Sequence, residues 1–168
     1  LPLRGGKGRQ WEGGIRQPFY IKAPGVAKPG SSSDQFATGT DFFPTLLELA
    51  GLKLRPENHI DGQSLVEALQ GKQSERALFW HYPHYNQHPS SAPVSIIRRG
   101  DWKLIEFLES GELELYNLAE DIGESRNLAK AQPELTAELL TKLKEWKVDA
   151  GAEPMRPNLQ YVAKEGKR

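Results

Sequence analysis

Near its start the chain reads Leu3-Arg4-Gly5-Gly6-Lys7-Gly8-Arg9-Gln10-Trp11-Glu12-Gly13-Gly14-Ile15-Arg16-Gln17-Pro18. A single lysine stands among glycines, and a second glycine pair and an arginine precede a short apolar run. Glycine lets backbone approach a ligand closely or adopt positive φ, so Lys7 can be presented at the rim of a cavity. An ammonium held there suits a compact tetrahedral anion, phosphate or sulfate. The spacing is not that of a Walker A loop, because Leu1 stands where its first glycine belongs and Gly8 where Ser or Thr would hold magnesium. Taken alone, Gly-Gly-Lys-Gly is also the composition of a solvated turn, and Glu12 with Arg16 reads as a pair bracing the entrance to the next element.

A second group with chemical potential is Trp80-His81-Tyr82-Pro83-His84-Tyr85-Asn86-Gln87-His88. Imidazole suits zinc, but Pro83 and Pro89 break any helix that would align the three histidines, and the run holds no acidic ligand, so no metal site is assigned. The aromatic residues suit packing. Tyrosine and histidine on a loop also suit stacking on a sugar or hydrogen bonding to it, which makes His81 and His84 the candidate substrate contacts. Trp102 and Trp146 read as core.

The elements that must position these groups follow from pattern and punctuation. Pro18 to Ala23 reads as a short strand closed by Pro24-Gly25. A helix starts near Asp41 and tolerates Pro44 in its first turn. Its Phe43, Leu46, Leu47 and Ala50 share one face for burial, and Gly51 ends it. Ser64 and Glu67 have capping-box spacing and open a short helix that ends at Gly71. Segments 76–82, 94–98, 101–107 and 112–118 read as strands, the last two joined through Ser110-Gly111 and burying one face of an antiparallel sheet. The helix from Pro133 to about Lys147, with Leu135, Leu139, Leu143 and Trp146 in one stripe, is the expected cover.

Bulk properties narrow the function classes. The 168 residues hold 22 basic and 22 acidic side chains, so no whole-chain field recruits nucleic acid or an anionic membrane. No apolar run approaches the roughly 20 residues that span a bilayer. The absence of cysteine excludes disulfides, thiolate metal sites and a cysteine-derived nucleophile within these residues. The first residue is Leu, not Met, and more polypeptide is expected upstream.

The Gly-rich string resembles the sulfatase family's loop of the form RGGKGxxxEGGxRxP. The resemblance continues through Asp41-Phe42-Phe43-Pro44-Thr45-Leu46-Leu47-Glu48-Leu49-Ala50-Gly51, Asp61-Gly62-Gln63-Ser64-Leu65 and Arg99-Gly100-Asp101-Trp102-Lys103-Leu104-Ile105. It ends with Glu114-Leu115-Tyr116-Asn117-Leu118 through Glu124-Ser125-Arg126-Asn127-Leu128-Ala129, where Asn117 replaces the family's usual Asp and Ile122 stands where proline is common. These five ordered segments cover roughly residues 3 to 147.

The resemblance implies an α/β fold, the C-terminal portion of an alkaline-phosphatase-like sulfatase. Residues 1–75 would close the catalytic domain, 76–150 would form a small subdomain with an antiparallel sheet packed on a C-terminal helix, and 151–168 would be an irregular tail. It implies a hydrolase that converts sulfate esters, including sulfated small molecules or saccharides, to alcohol and inorganic sulfate. Lys7 would be its catalytic lysine, holding a sulfate oxygen. The family's formylglycine nucleophile, made in a C/S-x-P-x-R motif, and its Ca2+ ligands are absent from these residues. The resemblance therefore places both in a missing N-terminal part and implies that the chain alone is inactive. A periplasmic or secreted location fits a family whose members are often exported. The competing readings are a phosphatase or phosphodiesterase of the same superfamily and a non-catalytic carbohydrate-binding module. Exposure of Phe19, Ile21, Phe43 and Leu47 would speak against a free-standing module.

Overall fold

A computed structural model describes residues 2–88 and 90–160. The chain forms two compact units: residues 1–16 with 79–168, and Gln17–Leu78. The Gly-rich segment groups with the sheet and not with residues 17–78.

Strands β1 (Ala77–Tyr82), β2 (Val94–Arg99), β3 (Trp102–Phe107) and β4 (Leu113–Asn117), all in the first unit from Phe79 on, form one sheet in the order β1-β2-β3-β4. Gly100, at φ +53°, and Asp101 turn β2 directly into β3. Gly111, at φ +71°, serves the turn into β4, where its N–H reaches Phe107 O at 2.8 Å. Both turns need the left-handed backbone that glycine adopts without steric cost. The antiparallel register places Ile96 opposite Ile105, Ile97 opposite Leu104, and Leu104 opposite Leu115.

The expected one-sided burial is not what forms. Lys103, Leu104 and Ile105 are all buried in succession, which requires cover on both faces of the sheet. Helix α4 (Pro133–Asp149) packs on β2 and β3, burying Leu139 and Leu143. Trp146 stacks on Phe79 with ring centroids 4.9 Å apart. By strand alternation Ile97, Leu104 and Leu115 point to this side. On the other face, Val94, Ile96, Ile105, Tyr116 and Leu118 cluster with Trp11 from the Gly-rich segment. That segment is the second cover. Alternation along β3 alone could not reveal it, because the cover arrives from about ninety residues away. Residues 151–160 form no helix or strand, and the tail's Lys164, Lys167 and Arg168 lie outside the described residues.

In the second unit, Pro18 to Ala23 does not form the expected strand. A strand persists by sharing a hydrogen-bond ladder, and among the described residues none lies beside it; Tyr20 is 91% exposed. Helix α2 (Phe42–Leu49) follows a 3-10 turn at Gly39–Asp41, and Gly51 at φ +69° ends it. Its buried residues are Pro44 and Thr45. The stripe expected to be buried faces outward instead, with Phe43 and Leu46 exposed and Leu47 half-buried. Helix α3 (Val66–Leu69) starts after Leu65, not with Ser64 as its cap, although Ser64 Oγ accepts the Val66 N–H at 3.2 Å. Glu67 pairs with Lys72 at 3.1 Å instead of completing a capping box.

Candidate active-site loop

Residues 4–14 close on themselves. The Gly13 N–H donates to Arg4 O at 2.8 Å, the Arg9 N–H donates to Gly6 O at 3.1 Å, and Gly5 and Gly8 take φ values of +76° and +83°. The short helix α1 (Glu12–Ile15) finishes the loop. Gly13 and Gly14 are required for closeness. A Cβ at Gly13 would lie 2.5 Å from Arg4 O, and one at Gly14 would overlap the Arg9 carbonyl oxygen. Lys7 sits on the crest of this closed loop and is exposed.

Both ends of the loop are tied to Glu124. Its carboxylate Oε2 accepts the Glu12 N–H at 2.6 Å, and its backbone oxygen accepts a hydrogen bond from Arg4 at 2.9 Å. Arg4 also donates to Tyr116 OH at 2.8 Å, and its guanidinium lies 3.9 Å from the centre of a Trp11 ring. The Trp11 indole N–H donates to Glu114 at 3.0 Å. Below the loop, Lys103 Nζ lies 3.0 Å from Glu12 Oε1 and 2.8 Å from Glu124 Oε1. Glu12 therefore pairs with Lys103, not with Arg16 as its spacing suggested. The physical reason is burial: an interior carboxylate needs a desolvated cation within reach, and β3 supplies one.

The cluster costs free energy to assemble. Burial pushes the Glu124 carboxyl above its ordinary range, opposed by the Lys103 ammonium and the Glu12 N–H. Glu124 is also one of the few non-glycine residues at positive φ, +52°, a conformation unfavourable by roughly 1 kcal/mol. Arg98, opposite Lys103 on β2, is lowered by burial and held up by the negative field of Glu12. A buried, strained carboxylate survives only where several partners determine its place.

The histidines separate. His81 lies on the α4 side of the sheet, with both ring nitrogens engaged, at 2.9 Å from Ser95 Oγ and 2.8 Å from Glu153 O. His84 is exposed and meets Tyr82 edge to face at 5.4 Å. It is His88 whose ring lies against Gly8, where an added Cβ would overlap it. Asn86 Nδ2 donates to Gly8 O at 2.7 Å, and Asn86 Oδ1 accepts the His88 N–H at 2.8 Å. Of the aromatic run, Asn86 and His88 thus adjoin the residue next to Lys7. The sequence presents His88 only as one of three histidines unsuited to a metal and gives no sign of Asn86, because the contact is long-range; the signal was Gly8 itself, a glycine whose missing side chain makes room for a ring.

Among the described residues, no group of three or more His, Asp or Glu is arranged to hold a metal ion. Within the described residues no donor set fits the cation that the resemblance implies. No helix among the described residues is long and apolar enough to cross a membrane.

Residues 7–149 match a family model described as N-sulphoglucosamine sulphohydrolase, C-terminal. A sulfatase of Formosa agariphila is 37% identical over 168 residues, covering 90% of this chain and 30% of that protein. A protein solved with its substrate D-glucosamine-2-N,6-O-disulfate aligns with a TM-score of 0.67 at 28% identity, covering 80% of this chain and 29% of the other. A structure solved with k-i-k-neocarrahexaose aligns with a TM-score of 0.73 over 93% of this chain and 34% of the other; at 23% identity it bears on the fold alone. The chain spans about a third of the length of these proteins.

Proposed function

The chain belongs to the sulfatases, in the family of N-sulphoglucosamine sulphohydrolase C-terminal regions, and from that premise we propose that it completes the active site of a sulfate-ester hydrolase by presenting Lys7 to the sulfate group. The observation that carries this reading is the exposed Lys7 on a loop closed by its own backbone and tied at both ends to one buried residue. A cation held in advance where negative charge develops stabilises a transition state without the cost of reorganising. Overall the reaction consumes one water: the ester S–O bond breaks, the alcohol leaves with one of the water's protons, and inorganic sulfate is released with the other proton passing to solvent. Lys7 would bind one sulfate oxygen throughout and strengthen its hold as charge accumulates.

Formylglycine and calcium, which the family resemblance implies, would come from polypeptide outside this chain, and the isolated chain would not turn over substrate. Support for a larger parent comes from the second unit, where Phe19 is 46%, Phe43 44% and Ile21 36% exposed. A free-standing module would not be expected to leave such a face to water. We place the substrate among sulfated saccharides. Asn86 and His88 would contact the sugar, in preference to His81, whose ring nitrogens are already engaged, and the tip residue His84 would lie at the margin of the site.

The test is sulfate release from sulfated glucosamine and from an aryl sulfate by the whole protein that carries this chain, with the matching phosphate esters run in parallel. Lys7→Ala should lower sulfatase turnover by about a hundredfold, the loss typical of one preorganised contact to a developing anion. Turnover unchanged by Lys7→Ala, or faster turnover of the phosphate esters, would overturn the reading.

A further inference from the structure

We propose that Glu124 is a positioning residue for Lys7: 117 positions away in sequence, it fixes both ends of the loop that carries the lysine. The assignment rests on the reading of Lys7 as the sulfate-holding group. At the C-terminal end of the loop, the Glu124 carboxylate takes the Glu12 N–H at 2.6 Å and faces Lys103 at 2.8 Å. At the N-terminal end, its backbone oxygen takes Arg4 at 2.9 Å. Between these ties run only Gly5 to Trp11, whose glycines contribute no side-chain packing of their own.

Such a loop is short, glycine-rich and intrinsically floppy, because glycine loses more conformational freedom on ordering than any other residue. Its own backbone hydrogen bonds close it, and Trp11 seats one side of it on the sheet, with the indole N–H on Glu114 at 3.0 Å. Glu124 joins its two ends to each other and to β3, and is held in turn by a chain of constraints. Its left-handed φ of +52° is fixed by the turn in which its N–H donates to Asp121 O at 3.0 Å. Asp121 also accepts the N–H groups of Ser125 and Arg126, each at 2.8 Å. The acidic turn after β4 is thereby coupled to the lysine loop through one side chain. A displacement of about 1 Å in a group that binds the reacting centre can cost a hundredfold in rate, so loosening one tie should be visible in turnover.

The experiment is a double-mutant cycle in the whole protein, with 4-nitrophenyl sulfate as substrate and inorganic sulfate as competitive inhibitor. Glu124→Gln keeps the size of the side chain but removes its charge. It should lower kcat about tenfold, weaken sulfate inhibition, and speed hydrogen exchange of the Gly5–Trp11 amides. In a Lys7→Ala background the same change should cost nothing further, because a residue that acts through Lys7 has nothing left to position. Equal losses in both backgrounds, or no loss beside Lys7, would overturn the proposal and leave Lys7 itself intact. If Lys7→Ala has no effect on turnover, the reading of Lys7 fails and the positioning role fails with it. Should Glu124→Gln not fold, Arg4→Gln severs the opposite tie from a half-exposed position and is judged by the same cycle.

Discussion

Arg76 and Asp41 form a buried ion pair in which one guanidinium nitrogen lies 2.9 Å from each carboxylate oxygen. Asp41 also accepts the N–H groups of Thr38 at 2.7 Å and Gln63 at 2.9 Å, and its side chain has no solvent exposure. One carboxylate thus joins the turn before α2, the Asp61-Gly62-Gln63 segment and the end of the second unit. Asp41→Ala would leave a mostly buried guanidinium with only the Asp61 carbonyl, at 3.4 Å, and would strip the Thr38 and Gln63 N–H groups of their acceptor. We expect a loss of about 3 kcal/mol in the stability of residues 17–78, read by urea denaturation together with hydrogen exchange confined to that unit. A loss below about 1 kcal/mol would mean that water replaces the carboxylate.

The two glycines at positions 6 and 14 should respond oppositely to the same substitution. A Cβ at Gly6 meets nothing within 4 Å, whereas one at Gly14 overlaps Arg9 O. Gly6→Ala should stay within about 0.5 kcal/mol of the parent. Gly14→Ala should cost about 2 kcal/mol by overpacking the base of the loop. Thermal unfolding of the two variants side by side checks the contrast.

Tyr116 connects the loop to alkaline pH. Burial pushes its phenol well above the ordinary value of 10.0, and Glu114 adds to the shift while Arg4 opposes it. With the folded pKa above the unfolded one, this group's contribution to stability is complete below about pH 10 and is lost as pH rises beyond it. Tyrosinate absorbance should show Tyr116 titrating only on unfolding, and Tyr116→Phe should flatten the alkaline fall in stability. Titration of Tyr116 with the protein still folded would contradict the buried geometry.

His81 and His88 should separate structure from recognition. His81→Ala removes the link between Ser95 and Glu153 O and should lower the melting temperature with KM for a sulfated saccharide unchanged. His88→Ala should raise KM severalfold with little effect on stability, since its ring is exposed against Gly8. The reverse pattern would restore His81 as the substrate contact.

Much of the sheet unit was legible because its signals are local. The four strands and α4 follow from alternation, turn glycines and a leucine stripe, all properties of neighbours a few residues apart. The same kind of evidence placed α2 and α3. It misjudged residues 18–23 and the outward stripe of α2, where the deciding fact is whether another chain segment lies alongside. Alternation in β3 likewise suggested a wet face at Lys103, because the cover for that face is Trp11 and Glu12.

By itself, then, the order of residues determined most of the secondary elements and the family. Only the tertiary structure decided that Glu12, Lys103 and Glu124, drawn from three separate motifs, are one buried cluster. Hydrophobic periodicity is written into neighbouring positions. The partner that makes a buried charge tolerable is chosen across the whole fold, and no local pattern can name it.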